Sequence, residues 1–248
     1  MYYMSKRIKF FLGHLAISIV VAIMIIGLVF FIWYPTPLAK AIGVTHIFLM
    51  LIVIDVIIGP LLTLLVYKEG KKTLKMDLTV IVLIQLIALG YGVFNIAQGR
   101  PVWISYEHTD KFDIVRANEI EQKGMHLADA EYKKINWFTP QFVSIKKEAT
   151  IEAQNKRLFD DLSQGIMPAH YPERYTTLGQ AKEGIQKYAK KLDDLKKYNR
   201  EIEVSTILKQ YPQADAWLPL RATAVDMVVL LDKEKAEVVK IVDLRPWN

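Results

Sequence analysis

Three long apolar runs occupy most of the first hundred residues, and they restrict the fold more than any other feature of the chain. The first, over residues 10–33, contains no charged residue, and the other two extend over residues 42–67 and 78–97. About 20 apolar residues in a helix span the hydrocarbon core of a bilayer. The sequence therefore predicts a membrane domain over residues 1–99 with three transmembrane helices.

The first run ends in an aromatic pair, Trp33 and Tyr34, of the kind that anchors helices at a membrane interface. Shortly afterwards Ala39 and Ala41 form the small-residue pattern of a signal-peptide cleavage site. The apolar part of a signal peptide is usually about 7–15 residues long, which is shorter than this run. We therefore expect the first helix to be retained rather than removed.

Basic residues are distributed unequally around the three runs. One side of the predicted membrane carries seven of them, and the other side carries only Lys40. The seven are Lys6, Arg7, Lys9, Lys68, Lys71, Lys72 and Lys75. Because loops rich in Lys and Arg stay in the cytoplasm, the N-terminus is predicted to be cytoplasmic. Three crossings then place residues 100–248 in the periplasm of a bacterium with the protein in its inner membrane.

The net charge of +6 does not indicate a nucleic-acid partner. Residues 1–99 hold 8 Lys+Arg and 3 Asp+Glu, whereas residues 100–248 hold 24 and 23. The basic excess therefore lies beside the membrane segments and not on a soluble surface that could track a phosphate backbone. The chain has no cysteine, which excludes disulfides and thiolate chemistry.

Residues 100–248 are predicted to form a small α+β domain with antiparallel strands. Short apolar segments with turn signals between them indicate strands, and a 3.6-residue apolar period indicates helices. The predicted strands are 102–107 and 112–116 around a turn at 108–110, 142–146, and 224–231 and 237–243 around a turn at 232–235. The predicted helices are 148–162 and 178–198.

No motif in the chain indicates catalysis, a cofactor or a metal. HExxH, G-x-S-x-G and dinucleotide-binding fingerprints are absent. His108, His126 and His170 are far apart in the sequence and lack the spacing of metal ligands. His108 and Asp110 are one residue apart, but a turn explains that pair more simply than a metal does. We therefore predict no catalytic, cofactor or metal residues.

The second apolar run contains the most informative polar residues. Asp55, Gly59 and Thr63 are four residues apart and so share one helix face, and Pro60 interrupts the helix beside them. A charged residue near mid-bilayer costs at least about 2.5–3.5 kcal/mol on insertion scales. Such a residue needs a partner, and a face of small and polar residues allows another helix to approach closely.

No side chain within the chain matches Asp55 well in depth. Ser18 and Gln85 are the nearest, but both lie roughly 6–8 Å closer to the cytoplasm by helix rise. His14 is deeper still on that side. Three alternatives remain open at this stage: a protonated Asp55, helix tilting that brings Gln85 or Ser18 close, or a partner in another protein.

Several segments of the sequence resemble the TfpX/TfpZ family of type IV pilin accessory proteins. They are YPTPL with GVTHIF at the start of the second run, D-x-x-x-GPLLTL from Asp55, QGRPVW from Gln98, and FDIVRANEI from Phe112. The resemblance is dense from residue 30 to residue 120, about half of the chain, and weaker afterwards.

The resemblance implies a non-enzymatic accessory protein or chaperone that binds the type IV pilin and modulates its stability or assembly. A type IV pilin is itself a membrane helix with an extracytoplasmic head. The face of Asp55, Gly59, Pro60 and Thr63 is then the expected partner-binding site. Membrane lipid is expected to surround the helices, and the sequence leaves open whether the protein forms homo-oligomers. A membrane enzyme that modifies pilin and a small oligomeric transporter or channel subunit are the alternatives.

Overall fold

The computed structural model describes residues 5–148, 150–164 and 167–248 of the chain. Its contacts divide the chain into two compact units. The helical unit comprises Met1–Ile32 and Gly43–Gln98, and the sheet unit comprises Trp33–Ile42 and Gly99–Asn248. The sequence divides the chain once, after residue 99, whereas the contacts also assign the short segment Trp33–Ile42 to the sheet unit.

Three helices in the first hundred residues are long and apolar enough to cross a membrane: Lys6–Trp33, Val44–Val66 and Leu74–Gln98. The first consists of α1 (Lys6–Gly27) and a π-helical end (Leu28–Trp33), and the Ser5 hydroxyl accepts a hydrogen bond from the Ile8 N–H at its start. The second consists of α3 (Val44–Val53), a π-helical turn (Ile54–Ile58) and α4 (Gly59–Val66). The third is α5 (Leu74–Gln98). The predicted existence of three long apolar helices is confirmed.

The sheet unit contains an eight-stranded sheet, in which seven strands follow the order β4-β3-β1-β2-β6-β7-β8 and β5 pairs with β6. The strands are β1 (Pro101–Tyr106), β2 (Phe112–Arg116), β3 (Gln141–Ile145), β4 (Tyr175–Thr176), β5 (Lys190–Lys191), β6 (Ala216–Arg221), β7 (Met227–Asp232) and β8 (Glu237–Val242). The two predicted hairpins are confirmed as β1–β2 and β7–β8.

The prediction of an antiparallel sheet is wrong in one respect, because the sheet is mixed. β1 pairs with β3 in parallel, and β2 pairs with β6 in parallel. The sequence analysis missed β6 altogether, since Pro219 lies inside it and proline is unusual in a central strand. Without β6, the parallel neighbour of the first hairpin could not be inferred.

The predicted helix at 178–198 is also wrong as a single element. The structure has a 3₁₀ turn (Leu178–Ala181), α7 (Lys182–Tyr188), strand β5 and a second 3₁₀ segment (Leu192–Lys197). Lys190 and Lys191 pair with β6, and the Trp217 indole donates a 2.8 Å hydrogen bond to the Lys191 carbonyl. Tertiary pairing therefore overrides a helical pattern that is only a weak local preference.

The remaining helices precede or follow this region in the sequence. They are α6 (Ile151–Gln164) and α8 (Glu201–Leu208), together with the short α2 (Leu38–Ile42) between the first two long helices. The sheet buries its apolar side chains almost completely: all six residues of β1 are buried, and so are the first five of β7. Trp103 is fully buried and packs edge-on against Tyr132 and Tyr175 at 5.7 and 5.4 Å.

The segment Trp33–Ile42 is part of the sheet unit's core. Leu38 and Ala41 belong to the same buried cluster as strands β1, β6 and β7. The Ala41 carbonyl accepts hydrogen bonds from the N–H groups of Ala224 and Val225, at 2.9 and 3.1 Å. A chain segment that follows the first long helix is thus fixed to strands more than 170 residues later.

Candidate functional site

The second long helix loses its regular hydrogen bonding where Asp55 lies. In the π-helical turn Ile54–Ile58, N–H groups donate to the carbonyl five residues earlier. The next acceptor in that series is the Asp55 carbonyl, and its donor would be residue 60, which is proline and has no N–H. A backbone acceptor inside the helical unit is therefore left without its helical partner.

Gln85 of α5 supplies the missing donor. Its side-chain Nε2 donates a 3.0 Å hydrogen bond to the Asp55 carbonyl. The contact needs Gly59, because a Cβ atom at that position would overlap the Gln85 amide. A neighbouring helix thus restores the hydrogen bond that proline removes, as is usual where proline interrupts a helix in an apolar environment.

Thr63, one turn beyond Gly59, is bonded to the first long helix. Its hydroxyl and the His14 Nδ1 lie 2.7 Å apart in a hydrogen bond, and Thr63 is 3% exposed. The predicted face of Asp55, Gly59, Pro60 and Thr63 is therefore buried in the helical unit, where Gly59 meets Gln85 and Thr63 meets His14.

The sequence suggests Gln85 and His14 only as partners of the Asp55 side chain. In the structure Gln85 binds the Asp55 backbone and His14 binds Thr63, and neither contact is predicted. The polar character of His14 in an apolar helix is the available signal. Helix depth alone pairs it with Thr63, since both lie toward the same end of their helices.

A cleft of about 550 Å³ opens beside these contacts. Its walls are mostly apolar side chains of α1 and α5, and Asp55, Thr63 and Ile52 of the second long helix contribute to it. The wall residues of α1 and α5 are Lys9, Phe10, Gly13, His14, Ile17, Ser18, Val21, Ala22, Ile25, Leu78, Val82, Gln85, Leu86 and Leu89. Gly59 and Pro60 are not among the lining residues, although Asp55 and Thr63 are.

Two polar atoms among the lining residues have no hydrogen-bond partner within the described part of the chain. They are Asp55 Oδ2 and Gln85 Oε1, both buried. An unpaired buried acceptor costs about 1–3 kcal/mol. We name the two residues, with His14 and Thr63, the polar floor of the cleft. This floor has unused capacity to accept hydrogen bonds.

Gly13 is the residue of α1 that leaves the cleft open. A Cβ atom at Gly13 would meet nothing within 4 Å. Gly90 of α5 is equally unobstructed but does not line the cleft. The chain therefore contains two glycines in similar helices, of which one borders the cleft and the other does not.

In the sheet unit, the surroundings of His108 and His170 are those of structural residues. His108 Nε2 is hydrogen-bonded to the Ile145 carbonyl at 2.8 Å, and the turn predicted at 108–110 is confirmed, with His108 in a left-handed conformation. Burial lowers the pKa of both His108 and His170 below the ordinary value. Within residues 5–148, 150–164 and 167–248, no group of three or more His, Asp or Glu side chains is placed to hold a metal ion.

A second cleft, of about 600 Å³, lies in the sheet unit beside His108. Its charged side chains have both signs, and several of them are paired. Arg157 pairs with Glu148 at 2.7 Å, and the Asp161 carboxylate pairs with Arg174 at 2.7 Å. This cleft therefore presents no field of one sign to a charged ligand.

Comparison with known proteins finds fimbrial assembly proteins, and two of them match nearly the whole chain. Residues 3–43 match the family described as fimbrial assembly protein FimB. The fimbrial assembly protein of serogroup E1 from Dichelobacter nodosus is 30% identical over 229 residues, covering 89% of this chain and 88% of the relative. The serogroup I protein of the same organism is 29% identical over the same shares.

A third relative matches a shorter region more strongly. The fimbrial assembly protein of serogroups C1 and C2 from Dichelobacter nodosus is 40% identical over 96 residues, which is 38% of this chain and 73% of the relative. No solved structure matches significantly. The extent and identity of the serogroup E1 match show that this chain belongs to the family of fimbrial assembly proteins.

Proposed function

We propose that this protein is a non-catalytic accessory protein of type IV pilus biogenesis, held in the bacterial inner membrane, that binds the pilin subunit through the cleft of its helical unit. The names of the relatives supply the general role in fimbrial assembly. The TfpX/TfpZ resemblance narrows that role to an accessory of type IV pilin. The observation that carries the binding site is the apolar cleft with its partly unpaired polar floor.

The topology follows from charge and from the sheet unit. Seven basic residues on one side and one on the other favour a cytoplasmic N-terminus. The segment Trp33–Ile42 folds with Gly99–Asn248, so both must lie on the same side of the membrane. Two crossings between them, by the second and third long helices, satisfy that requirement. The sheet unit is then periplasmic.

The occupant of the cleft is proposed to be the transmembrane helix of the pilin. Acyl chains fit an apolar cleft but offer no donor to Asp55 or Gln85, whereas a helix can bring a hydrogen-bonding side chain or a positive group. Polar contacts between membrane helices contribute about 0.6–2 kcal/mol each. Such a contact holds a subunit reversibly, which suits a protein that must later release the pilin for assembly.

The test is a matched pair of glycine substitutions. Gly13→Leu adds a side chain at a cleft-lining position where a Cβ atom meets nothing within 4 Å, and Gly90→Leu makes the same chemical change at a position of α5 that does not line the cleft. Pilin should co-purify in mild detergent with the wild type and with Gly90→Leu, and recovery should fall strongly with Gly13→Leu at equal protein levels. Equal recovery with both variants would show that the cleft is not the pilin site.

The same assay examines the polar floor. Asp55→Asn keeps a hydrogen-bonding side chain, so pilin recovery should decrease only mildly.

Alkaline phosphatase fused after Asn248 should be active, and a fusion within the basic loop at residues 68–76 should be inactive. The reverse pattern of fusion activities would contradict the proposed topology, whatever the result of the co-purification with Gly13→Leu.

A further inference from the structure

Two neighbouring aromatic side chains of the sheet unit are exposed in an irregular segment. Trp137 is 62% exposed and Phe138 is 64% exposed. They end the sequence Lys-Lys-Ile-Asn-Trp-Phe at residues 133–138, which we name the 133–138 loop. Large adjacent apolar side chains on a soluble surface indicate contact with a partner or a membrane more often than isolated ones do.

The loop is fixed to the core by residues that precede its exposed aromatic pair. Tyr132, which precedes it, is 5% exposed and packs against Trp103 and Tyr175 at 5.7 Å. Ile135 packs against the same buried cluster. The Asn136 side chain accepts a 2.9 Å hydrogen bond from the Phe138 N–H. The fold therefore presents the two aromatic rings in a defined position.

Trp137 of the loop contacts a residue that follows the third long helix closely in the sequence. The Arg100 guanidinium lies 4.3 Å from the centre of the Trp137 ring. Arg100 is only two residues beyond Gln98, the last residue of the third long helix. A short stretch of backbone and one side-chain contact therefore connect the loop to the end of that helix.

The sequence analysis assigned the interfacial role to Trp33 and Tyr34. The structure buries both, at 6% and 1% exposure, so neither ring is free to lie among lipid headgroups. Trp137 and Phe138 are exposed instead. Exposed aromatic residues suited to a membrane interface are thus available from a segment about a hundred residues later in the chain.

Two lysines precede the aromatic pair. Lys133 and Lys134 are exposed, and neither forms an ion pair with any residue in the described part of the chain. Lys side chains near a bilayer are attracted to anionic lipid headgroups, and Trp is enriched at the membrane interface. The loop therefore combines the two residue types that an interfacial contact uses.

We propose that the 133–138 loop binds the membrane interface, with Trp137 and Phe138 among the lipid headgroups and Lys133 and Lys134 against anionic phosphates. The inference rests on the proposed insertion of the long helices into a bilayer. It adds a contact between the sheet unit and lipid that neither the relatives nor the transmembrane helices require.

The chain has no cysteine, so single cysteines can carry a nitroxide label without background. The full chain is placed in nanodiscs of phosphatidylethanolamine and phosphatidylglycerol, and oxygen and nickel-chelate accessibility is measured by electron paramagnetic resonance. Three positions are compared: Phe138→Cys in the loop, Ile202→Cys as an exposed position in α8, and Phe31→Cys in the first long helix. Ile202 and Phe31 are 72% and 79% exposed, so a label at either site displaces no core.

The label at residue 138 should show high oxygen and low nickel-chelate accessibility, between the lipid-like value at residue 31 and the aqueous value at residue 202. An aqueous value at 138 with a lipid-like value at 31 would overturn the loop contact and leave the helix insertion standing. An aqueous value at 31 would overturn the insertion itself, and the loop proposal with it.

The lysines are tested by their lipid dependence. Replacing Lys133 and Lys134 by Gln should raise nickel-chelate accessibility at residue 138 in discs that contain phosphatidylglycerol. The same change should have no effect in discs of phosphatidylcholine alone. An equal effect in both lipids would show that the lysines do not act through anionic headgroups.

Discussion

The two units of this chain place their large apolar residues in opposite ways. In the sheet unit Trp103, Trp217 and Leu218 are completely buried. In the helical unit Ile84 and Ile87 are 63% and 71% exposed. Besides a few apolar residues such as Phe48, the helical unit buries small and polar residues, including Asp55, Gly59 and Thr63.

This difference is the one expected of units that are built for different solvents, lipid for the helical unit and water for the sheet unit. The sheet unit gains stability by removing apolar area from water. Helices in lipid gain nothing from covering apolar side chains, so they associate through close packing and polar contacts. The sheet unit should therefore be sensitive to lost volume, and the helical unit should be sensitive to added volume.

The largest effect is expected from removing volume in the sheet core. Trp103→Ala deletes a fully buried ring that packs against Tyr132 and Tyr175. Substitutions of this kind cost about 3–5 kcal/mol of unfolding free energy. Amide hydrogen exchange of the full chain in detergent should lose protection across β1 and β3, while α5 keeps its protection.

The matched control removes an aromatic ring from the helical unit. Tyr91 in α5 is 72% exposed, so Tyr91→Ala should leave hydrogen exchange in both units close to that of the wild type. A loss of protection in α5 comparable to the loss in β1 would contradict the idea that exposed apolar residues contribute little to that unit.

A smaller effect is expected from adding volume to the helical unit. Gly59→Leu forces a side chain into the space of the Gln85 amide and breaks its hydrogen bond to the Asp55 carbonyl. Overpacking of this kind costs about 1–3 kcal/mol. Thermal unfolding in detergent should shift to lower temperature, and exchange should increase in α4 and α5 while the sheet is unaffected.

Gly90→Leu is again the control, because a Cβ atom there meets nothing within 4 Å, whereas a Cβ atom at Gly59 overlaps the Gln85 amide. If Gly59→Leu and Gly90→Leu unfold at the same temperature as the wild type, close approach at Gly59 is not needed for the packing of the second and third long helices. Gly59→Leu is a poorer probe of pilin binding than Gly13→Leu, since it alters the packing of the helical unit itself.

The sequence predicts the helical unit better than the sheet unit. The runs of apolar residues are a direct signal, and all three long helices lie where they are expected. The two hairpins are equally clear, because each has strands on both sides of a turn. The parallel pairing of β2 with β6 depends on two segments about 100 residues apart, and Pro219 conceals the second.

The sequence predicts only part of the polar floor, because the rest again depends on contacts between distant segments. The spacing of Asp55, Gly59 and Thr63 places them on one face, and the structure buries that face. The contacts across helices depend on rotation and register, which a single sequence does not determine. Gln85 thus reaches the Asp55 carbonyl, and His14 reaches Thr63. Whether this face also meets a partner stays a prediction.

The last prediction concerns acid, to which the sheet unit should respond through its partly buried histidines, His108 and His170. Burial lowers the pKa of His108, and the charges of Lys147 and Arg157 lower it further, while the Ile145 carbonyl acts in the opposite direction. Burial raises the pKa of the neighbouring Glu107. The two groups therefore have opposite effects on stability.

A histidine with a lowered pKa takes up its proton more readily in the unfolded chain than in the folded one. Its contribution to stability is complete above the ordinary pKa of about 6.5 and decreases as the pH falls below that value. Glu107 holds its proton to a higher pH in the folded chain than in the unfolded chain. Its stabilising contribution therefore decreases as the pH rises above the ordinary pKa of glutamate. As the pH falls below the ordinary pKa of histidine, the histidine contribution to stability is lost, whereas the Glu107 contribution changes in the opposite direction.

The unfolding temperature of the sheet unit should therefore decrease as the pH is lowered from neutral through 6.5, and His108→Asn should reduce that dependence. Asparagine suits this position because His108 has a left-handed backbone, which Asn tolerates well. A constant loss of stability at every pH would reflect only the missing bond to Ile145, so the slope is the quantity to compare. His170→Gln should reduce the slope separately, since burial lowers that pKa as well. If the slope is the same in the wild type and in both variants, these histidines do not make the sheet unit acid-sensitive.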